Sequence, residues 1–193
     1  NHKSFSESTA VLAGDALLSF APQLIIEKSQ LSADKILALI HEFCKAAGVD
    51  GIIAGQIVDI QSENKHITPE TLDYLQEYKT SKLFVLAVKT GAIVAGASQK
   101  QVDELEEFAV KFGHAFQICD DILDEIATAQ ELGKTPGKDA NAHKSTYTSM
   151  FGLDKAKSDL RLLCEQCCDI LNKNNFKSEI LSGIVNDLVE RVV

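Results

Sequence analysis

The stretch FQICDDILDE, residues 116–125, sets the problem that this chain poses. Three aspartates stand in it among phenylalanine, isoleucine and leucine, and no lysine occurs between Lys111 and Lys134. On a helix, Asp120 and Asp124 are i, i+4 neighbours, so their like charges repel each other. An ordinary solvated helix face would intersperse lysines with these carboxylates, so the stretch needs another explanation.

Outward from this stretch, apolar residues recur at three- and four-residue spacing in most of the chain, which predicts an all-α protein. The chain of 193 residues is long enough for a substantial core, and we predict a single domain over residues 1–193. The predicted helices are residues 5–28, 32–47, 50–63, 69–77, 80–97, 100–126, 153–173 and 178–192. Residues 128–146 have no clear periodicity, and such a long irregular segment is usually functional or disordered.

Composition excludes several classes of protein. A chain that is 45% hydrophobic and 24% charged is typical of folded globular proteins. The net charge of −9 argues against a nucleic-acid surface, which needs a basic face. Five cysteines, an odd number within helical patterns, predict reduced thiols and a cytoplasmic protein. The longest apolar tract, residues 83–97, is broken by Lys89 and is too short to span a bilayer, so we predict no integral membrane segment.

The aspartate helix divides into two rows by spacing. An apolar row in 4-3-4-3 steps is predicted to pack into the core, and it consists of Phe112, Phe116, Cys119, Leu123 and Ile126. The positions one residue further on, about 100° around the helix, include Gln117, Asp120 and Asp124. Two carboxylates beside a core need a proton, a lysine or a cation, and Mg²⁺ typically binds one or two carboxylates together with substrate phosphates. An acidic solvated face is the alternative, and the spacing alone favours neither.

Lysines follow the aspartates in the chain. Lys134, Lys138 and Lys144 lie within eleven residues of each other in an otherwise acidic protein. Lysines and a metal ion together are a means of neutralising a diphosphate. A charge-balanced surface loop remains the alternative interpretation of this segment.

Two upstream stretches are consistent with a substrate pocket. GQIVD puts Gln56 and Asp59 at i, i+3 on a helix in which Gly55 allows a neighbouring backbone to approach closely. YKTSKLF puts Lys79 and Thr80 immediately before a nearly all-apolar helix. Each feature alone has an ordinary explanation, a hydrogen bond between packed helices or a charge at a helix end. Together they predict a deep apolar pocket with a polar mouth.

Five segments, in order along the chain, resemble the C-terminal part of the trans-isoprenyl diphosphate synthases, the farnesyl and geranylgeranyl diphosphate synthase family. They are HKSFSESTAVLAGDALL (2–18), GQIVDIQSE (55–63), YKTSKLF (78–84), FQICDDILD (116–124) and LGKTPGKDANAHKSTY (132–147). The resemblance implies an all-α isoprenoid-synthase bundle around a deep central cavity. It also implies a homodimer and a Mg²⁺-dependent enzyme, with Mn²⁺ as a possible substitute.

The reaction implied by the resemblance is prenyl transfer. An allylic diphosphate ionises, isopentenyl diphosphate attacks the carbocation, and a proton is lost to give a short-chain product such as farnesyl or geranylgeranyl diphosphate. A non-catalytic subunit of the same fold and a terpene cyclase are the alternatives. YKTSKLF and GQIVD favour the chain-elongating branch, and the intact DDILD and LGK stretches argue against a non-catalytic subunit.

The resemblance also implies roles for individual residues. The implied metal ligands are Asp120, Asp121 and Asp124, of which Asp120 and Asp124 are the more direct contacts. The implied ligands of the allylic diphosphate are Lys79, Lys134 and Lys144. The groups implied to face the carbocation are Thr80, Gln117 and the backbone carbonyl of Lys79. The remaining assignments are Phe116 on the isopentenyl side and Gln56 and Asp59 near the substrate head and the metal shell.

The beginning of the chain departs from the family pattern. The sequence starts at Asn1 without methionine and enters a helical pattern at once, so we expect an N-terminally incomplete polypeptide. The first aspartate-rich motif of the family is absent from these 193 residues, as are the upstream basic residues that hold isopentenyl diphosphate. We therefore predict that the isolated chain is inactive and that the complete protein is a prenyltransferase.

Overall fold

The structure is a computed structural model that describes residues 1–126, 145–173, 176 and 178–192. Every regular element in those residues is helical, which confirms the predicted all-α class. The α-helices are α1 Glu7–Lys28, α2 Ala33–Ala47, α3 Ile52–Ser62, α4 Pro69–Leu75, α5 Lys82–Ala95, α6 Gln99–Ile126, α7 Tyr147–Phe151, α8 Leu153–Lys173 and α9 Glu179–Glu190. A π-helix, Gln76–Ser81, joins α4 directly to α5.

Helix starts follow the capping signals in the sequence. Thr68 followed by Pro69 predicts a cap and a proline in the first turn of a helix. In the structure the Thr68 side chain accepts a hydrogen bond from the Thr71 backbone N–H at 3.3 Å, and Pro69 occupies the first turn of α4. The predicted break between residues 77 and 80 was wrong. The helix runs on through the π-helix because a π turn inserts one residue without ending the hydrogen-bond ladder. Helix α7 was not predicted, and Thr146 caps it in a reciprocal pair with Ser149.

Helix α6 lies at the centre of the described residues. It packs against α5 and the π-helix on one side and against α8 on the other. Its most buried apolar residues are Phe108, Ala109, Ala115, Ile118, Cys119 and Ile122. Ile118 and Ile122 belong to one continuous core with Leu160 and Leu171 of α8 and Val185 of α9. Burial on two sides therefore fixes α6, the helix that carries Gln117 and the aspartates at residues 120, 121 and 124.

The predicted packing row on α6 was partly wrong. Phe112 and Cys119 are buried and the partly buried Phe116 and Leu123 pack against the core as expected, but Ile126 is 41% exposed. Because α6 is covered on two sides, its buried sector is wider than one seam and is turned toward Ala115, Ile118 and Ile122. The rotation buries Asp121 and leaves Asp120 and Asp124 at intermediate exposure.

An ion-pair cluster ties three helices together away from this core. Lys89 of α5 lies 3.0 Å from Glu42 of α2 and 2.9 Å from Glu106 of α6. Burial alone would lower the pKa of Lys89, but the two carboxylates outweigh it and raise the pKa. The lysine that interrupts the apolar tract 83–97 is therefore a cross-link between helices.

Helix α1 differs from the rest because none of its residues is buried. Its large apolar side chains are exposed, among them Val11, Leu12, Leu17, Leu18 and Ile26. Among the described residues it is the one helix long and apolar enough to cross a membrane, a property that core helices of soluble proteins share. The prediction of no integral membrane segment was based on residues 83–97 and did not consider this helix.

Candidate active site

Two glycines let the π-helix fit between α3 and α6. A Cβ on Gly55 would lie 2.5 Å from the Lys79 backbone nitrogen, and one on Gly113 would lie 2.6 Å from the Ser81 Cα. Ordinary Cβ contacts are never that short, so a side chain at either position would push the π-helix away. The predicted close approach at Gly55 is confirmed, and the contact it permits is with the segment that carries Lys79 and Thr80.

Lys79 and Asp59 form an ion pair across this contact. The Lys79 Nζ atom lies 2.7 Å from Asp59 Oδ2, and the Asp59 carboxylate is mostly buried whereas about a third of the Lys79 side chain is exposed. The ion pair therefore fixes the position of the Lys79 ammonium group at the junction of α3 and the π-helix.

A chain of hydrogen bonds continues from the π-helix into α6. Thr80 Oγ1 donates to Gln117 Oε1 at 2.8 Å, and Gln117 Nε2 donates to Asp121 Oδ1 at 2.9 Å. The other oxygen of Asp121 accepts from the Tyr147 backbone N–H at 2.7 Å. Asp121 thus joins the π-helix side of α6 to the beginning of α7.

Tyr147 is itself anchored on α8. Its hydroxyl donates to Asp159 Oδ2 at 2.6 Å, and Lys155 donates to the same oxygen at 2.7 Å. Burial followed by the Asp159 contact raises the pKa of the Tyr147 hydroxyl, which therefore remains protonated at neutral pH. The hydrogen bond to Asp159 thus fixes the Tyr147 side chain, and the backbone N–H of the same residue donates to Asp121.

The polar residues on α3, the π-helix and α6 line a cleft with about 610 Å³ of empty space, part of it open to solvent. Lys79, Thr80, Gln117, Asp59 and Asp121 all contribute to its wall. They come from three segments of the chain separated by 20 residues or more, and only the packing of α3, the π-helix and α6 brings them together. The apolar part of the wall consists of Ile67, Leu72 and Leu75.

Asp120 and Asp124 lie one turn apart on α6 and are partly exposed. Within residues 1–126, 145–173, 176 and 178–192 no three histidine, cysteine, aspartate or glutamate side chains gather as a metal site. Two partly exposed carboxylates on one helix still fit a Mg²⁺ ion that takes its other ligands from phosphate and water. The donor set in this part of the chain therefore fits a metal that is shared with a substrate, and not a cage made by protein alone.

The structure brings together some of the predicted site residues and not others. Gln56 is exposed on α3 and does not line the cleft, although Asp59 three residues later does. Phe116 is partly buried and packs on Phe84, with ring centroids 5.1 Å apart, and it is also absent from the cleft wall. Lys134 and Lys144 lie outside the described residues.

Other residues of the cleft were not predicted from the sequence. Ser62, Glu63, Ser145 and Thr146 contribute polar atoms to its wall. Gln76 is 3% exposed, and its Nε2 atom has no hydrogen-bond partner among the described residues. The spacing of Gln76 and Thr80, i and i+4, was a signal in the sequence that could have found Gln76.

A second concavity lies between α1, α2 and α5. Its wall is apolar, consisting of Ile25, Leu39, Phe43, Leu83, Leu86, Ala87, Thr90, Gly91 and Val94, and it encloses about 1150 Å³ that is partly open to solvent. The sequence predicted one apolar pocket with a polar mouth, but this apolar concavity and the polar cleft lined by Lys79 and Gln117 share no lining residue in the described part of the chain.

The sequence profile of the polyprenyl synthetase family matches residues 1–187, nearly the whole chain. The chain belongs to the polyprenyl synthetase family. The matched range includes α3, the π-helix and α6, which carry most of the residues that line the cleft.

Relatives in both sequence and structure carry this family's names. The farnesyl diphosphate synthase of Bacillus subtilis is 38% identical over 99% of this chain and 65% of its own length. The geranylgeranyl diphosphate synthase of Cyanophora paradoxa is 37% identical over 99% of this chain and 64% of its own length. A Helicobacter pylori geranyltransferase, solved with magnesium and isoprenyl diphosphate, matches 98% of this chain with a TM-score of 0.84 and 30% identity. The chain spans less than two thirds of the length of each of these proteins.

Proposed function

We propose that the protein is a prenyltransferase that condenses isopentenyl diphosphate with an allylic diphosphate, giving a short-chain product such as farnesyl or geranylgeranyl diphosphate. The observation that carries the proposal is the convergence of Lys79, Thr80 and Gln117 in one cleft. A lysine suits a diphosphate, and two side-chain oxygens beside it suit the allylic cation that forms when the diphosphate leaves. The names of the relatives support the same reaction class.

Each residue of the cleft has a role in this proposal. Lys79, fixed by Asp59, binds the leaving diphosphate as a positive point charge. Lys134 and Lys144 are proposed to bind the same diphosphate. Phe116 and Gln56 do not line the cleft, and we propose that they approach the substrates from outside its wall. Thr80 Oγ1 and Gln117 Oε1 stabilise positive charge by electrostatic preorganisation, because their orientation is fixed before ionisation.

Mg²⁺, or Mn²⁺ in its place, is the proposed cofactor. Asp120 and Asp124 would hold it from α6, and Asp121 belongs to the same predicted motif. The metal would supply positive charge to the leaving diphosphate, which no neutral side chain can do. Magnesium and isoprenyl diphosphate in the Helicobacter pylori geranyltransferase complex support this assignment.

The apolar groove between α1, α2 and α5 is proposed to receive the hydrocarbon chain. Its wall offers alkyl and aromatic carbon with Thr90 as its one hydroxyl, so it suits a prenyl group and disfavours a diphosphate.

We also propose a homodimer, since α1 exposes a row of apolar side chains that a second copy would cover. All five thiols are free, which supports a reducing compartment such as the cytoplasm.

One assay separates the candidate functions. The complete protein is incubated with dimethylallyl and isopentenyl diphosphates and Mg²⁺, and the products are read by mass. A diphosphate longer by five carbons supports elongation, a hydrocarbon identifies a cyclase, and absence of turnover identifies a non-catalytic subunit.

Chelation of the metal is expected to abolish product formation, and Lys79→Met is expected to raise the KM for the allylic substrate at least about tenfold.

The 193-residue chain alone is proposed to be inactive, because its sequence contains one aspartate-rich motif. The same assay on this chain, with the complete protein as the positive control, tests that part. Mg²⁺-dependent elongation by the 193-residue chain would overturn it.

A further inference from the structure

Asp121 has a different environment from the two aspartates that flank it. It is 6% exposed, whereas Asp120 and Asp124 are only partly buried. One carboxylate oxygen accepts from Gln117 Nε2 at 2.9 Å and the other from the Tyr147 N–H at 2.7 Å. A carboxylate held by an N–H group on each oxygen is fixed in rotation, and each oxygen is already turned toward a protein donor.

The charge of Asp121 determines which way round Gln117 sits. An ionised carboxylate can only accept hydrogen bonds, so Gln117 must turn its NH₂ group toward Asp121. The carboxamide oxygen then lies on the opposite side, where Thr80 Oγ1 donates to it at 2.8 Å. Thr80 has one hydroxyl proton and gives it to Gln117, so its own oxygen presents lone pairs to the surroundings.

The direction of this chain suits a cation. Both Thr80 and Gln117 line the cleft. Because Gln117 uses its NH₂ group on Asp121 and Thr80 uses its proton on Gln117, each side chain has an oxygen, and not an N–H or O–H group, left to interact with a ligand. A reversed chain would instead turn the Gln117 NH₂ group toward Thr80. Oriented acceptors stabilise developing positive charge, whereas outward N–H groups oppose it.

We propose that Asp121 is a positioning residue and not a metal ligand: it sets the orientation of the Gln117 carboxamide and, through it, of the Thr80 hydroxyl. This role rests on the proposed prenyl transfer, because the oriented oxygens act on the allylic cation. The Tyr147 backbone amide holds Asp121 in place, and Tyr147 is in turn fixed by Asp159.

The isosteric variant Asp121→Asn is designed to reverse the chain. Its Oδ1 can still accept from the Tyr147 N–H, and its Nδ2 then faces Gln117, which must turn its oxygen inward. The fold and the diphosphate sites are retained. In the complete protein, kcat is expected to fall at least about tenfold, with the KM values of both diphosphates and the half-saturating Mg²⁺ concentration unchanged.

A second substitution is designed to restore the orientation. In Asp121→Asn/Gln117→Glu, the glutamate carboxylate accepts from the asparagine Nδ2 and from the Thr80 hydroxyl, so an oxygen again lies beside Thr80. The double variant is expected to recover most of the lost kcat. Gln117→Glu alone sets two carboxylates at hydrogen-bond distance and is expected to be at least as slow as Asp121→Asn.

The matched control is Asp124→Asn, one turn from Asp120 on the same helix. It is expected to raise the half-saturating Mg²⁺ concentration, which Asp121→Asn does not change. If Asp121→Asn raises the Mg²⁺ requirement and regains full kcat at saturating Mg²⁺, Asp121 is a metal ligand and the proposal fails. Absence of recovery in the double variant would also overturn it.

A measurement without turnover separates this inference from the proposed function. In wild-type protein, NMR is expected to show slowly exchanging Gln117 side-chain and Tyr147 backbone amide protons. In Asp121→Asn, the Tyr147 amide is expected to remain protected while the Gln117 resonances shift. Unchanged Gln117 resonances would overturn the inference, whereas a wild-type protein that makes these bonds and elongates no substrate would overturn the proposed function.

Discussion

The two sides of α6 solve different physical problems. Toward α8 and α9 the helix presents Ile118, Cys119 and Ile122, all at most 2% exposed, which pack without polar pairing apart from a weak thiol contact to Leu188 O. Toward the π-helix it presents Gly113 and Gln117. Gly113 lets the two helices approach closely at Ser81, and Gln117 accepts a hydrogen bond from the Thr80 hydroxyl. The apolar side gives the free energy that fixes the helix, and the polar side uses that rigidity to hold oriented groups.

The comparison also separates tolerance from precision. An apolar contact loses energy gradually as side chains shift, so small rearrangements cost little. Hydrogen bonds and close backbone contacts weaken steeply with distance and angle. Changes on the apolar side are therefore expected to act on stability first, and changes on the polar side to act on catalysis more than on stability.

The largest effect on stability is expected on the apolar side. Leu160→Ala removes a side chain that is fully buried against α6, and about 2–5 kcal/mol of the free energy of unfolding should be lost. Leu162→Ala, on the same helix but 51% exposed, should cost less than about 0.5 kcal/mol. Urea unfolding followed by circular dichroism measures both, and equal losses would mean that α8 does not pack on α6 as described.

A smaller loss of stability is expected on the polar side. Gly113→Ala places a methyl group against Ser81, so the π-helix must move, at a cost of about 1–3 kcal/mol. Elongation by the complete protein should fall by a larger factor than stability alone explains, because Thr80 moves with Ser81. Gly183→Ala in α9 meets nothing within 4 Å and should stabilise the protein by about 0.5–1 kcal/mol. A Gly113→Ala protein with normal activity would contradict the close contact.

The effect that is smallest at neutral pH concerns the thiols of the apolar side, and it grows at alkaline pH. Burial raises the pKa of Cys119 to about 11 and of Cys164 and Cys167 to about 12, against 9.0 for an exposed thiol. The folded state therefore keeps these protons while the unfolded chain releases them, and stability falls as pH rises above about 9. Each thiol contributes a slope of at most about 1.4 kcal/mol per pH unit.

Thermal unfolding at pH 8, 9 and 10 measures this loss. Cys167→Ala removes one titrating group, so its stability should decline less steeply between pH 9 and 10 than that of the wild type. Cys44→Ala is the control, because Cys44 is exposed. Identical slopes in all three proteins would mean that the buried thiols do not titrate differently in the folded and unfolded states.

Much of the fold could be predicted from periodicity and capping residues. Thr68 and Pro69 marked the start of α4 correctly, and the ends of α2 and α8 were predicted to within one residue. These signals are local, since a cap or an apolar repeat acts within one or two turns. The direction of burial on α6 was predicted less well, because it depends on how many neighbours cover the helix, and the burial of Asp121 was not predicted.

The sequence by itself determined the all-α class, the family and the residue types that the proposed chemistry uses: an aspartate-rich helix, a Lys79–Thr80 pair and a glycine at residue 55. Only the tertiary structure decided that Thr80 meets Gln117, 37 residues away, and that Asp121 meets Tyr147, 26 residues away. Spacing along one helix cannot specify such partners, because they are chosen by the packing of separate helices. The same packing distinguishes Asp121, which is buried, from Asp120 and Asp124, which are partly exposed.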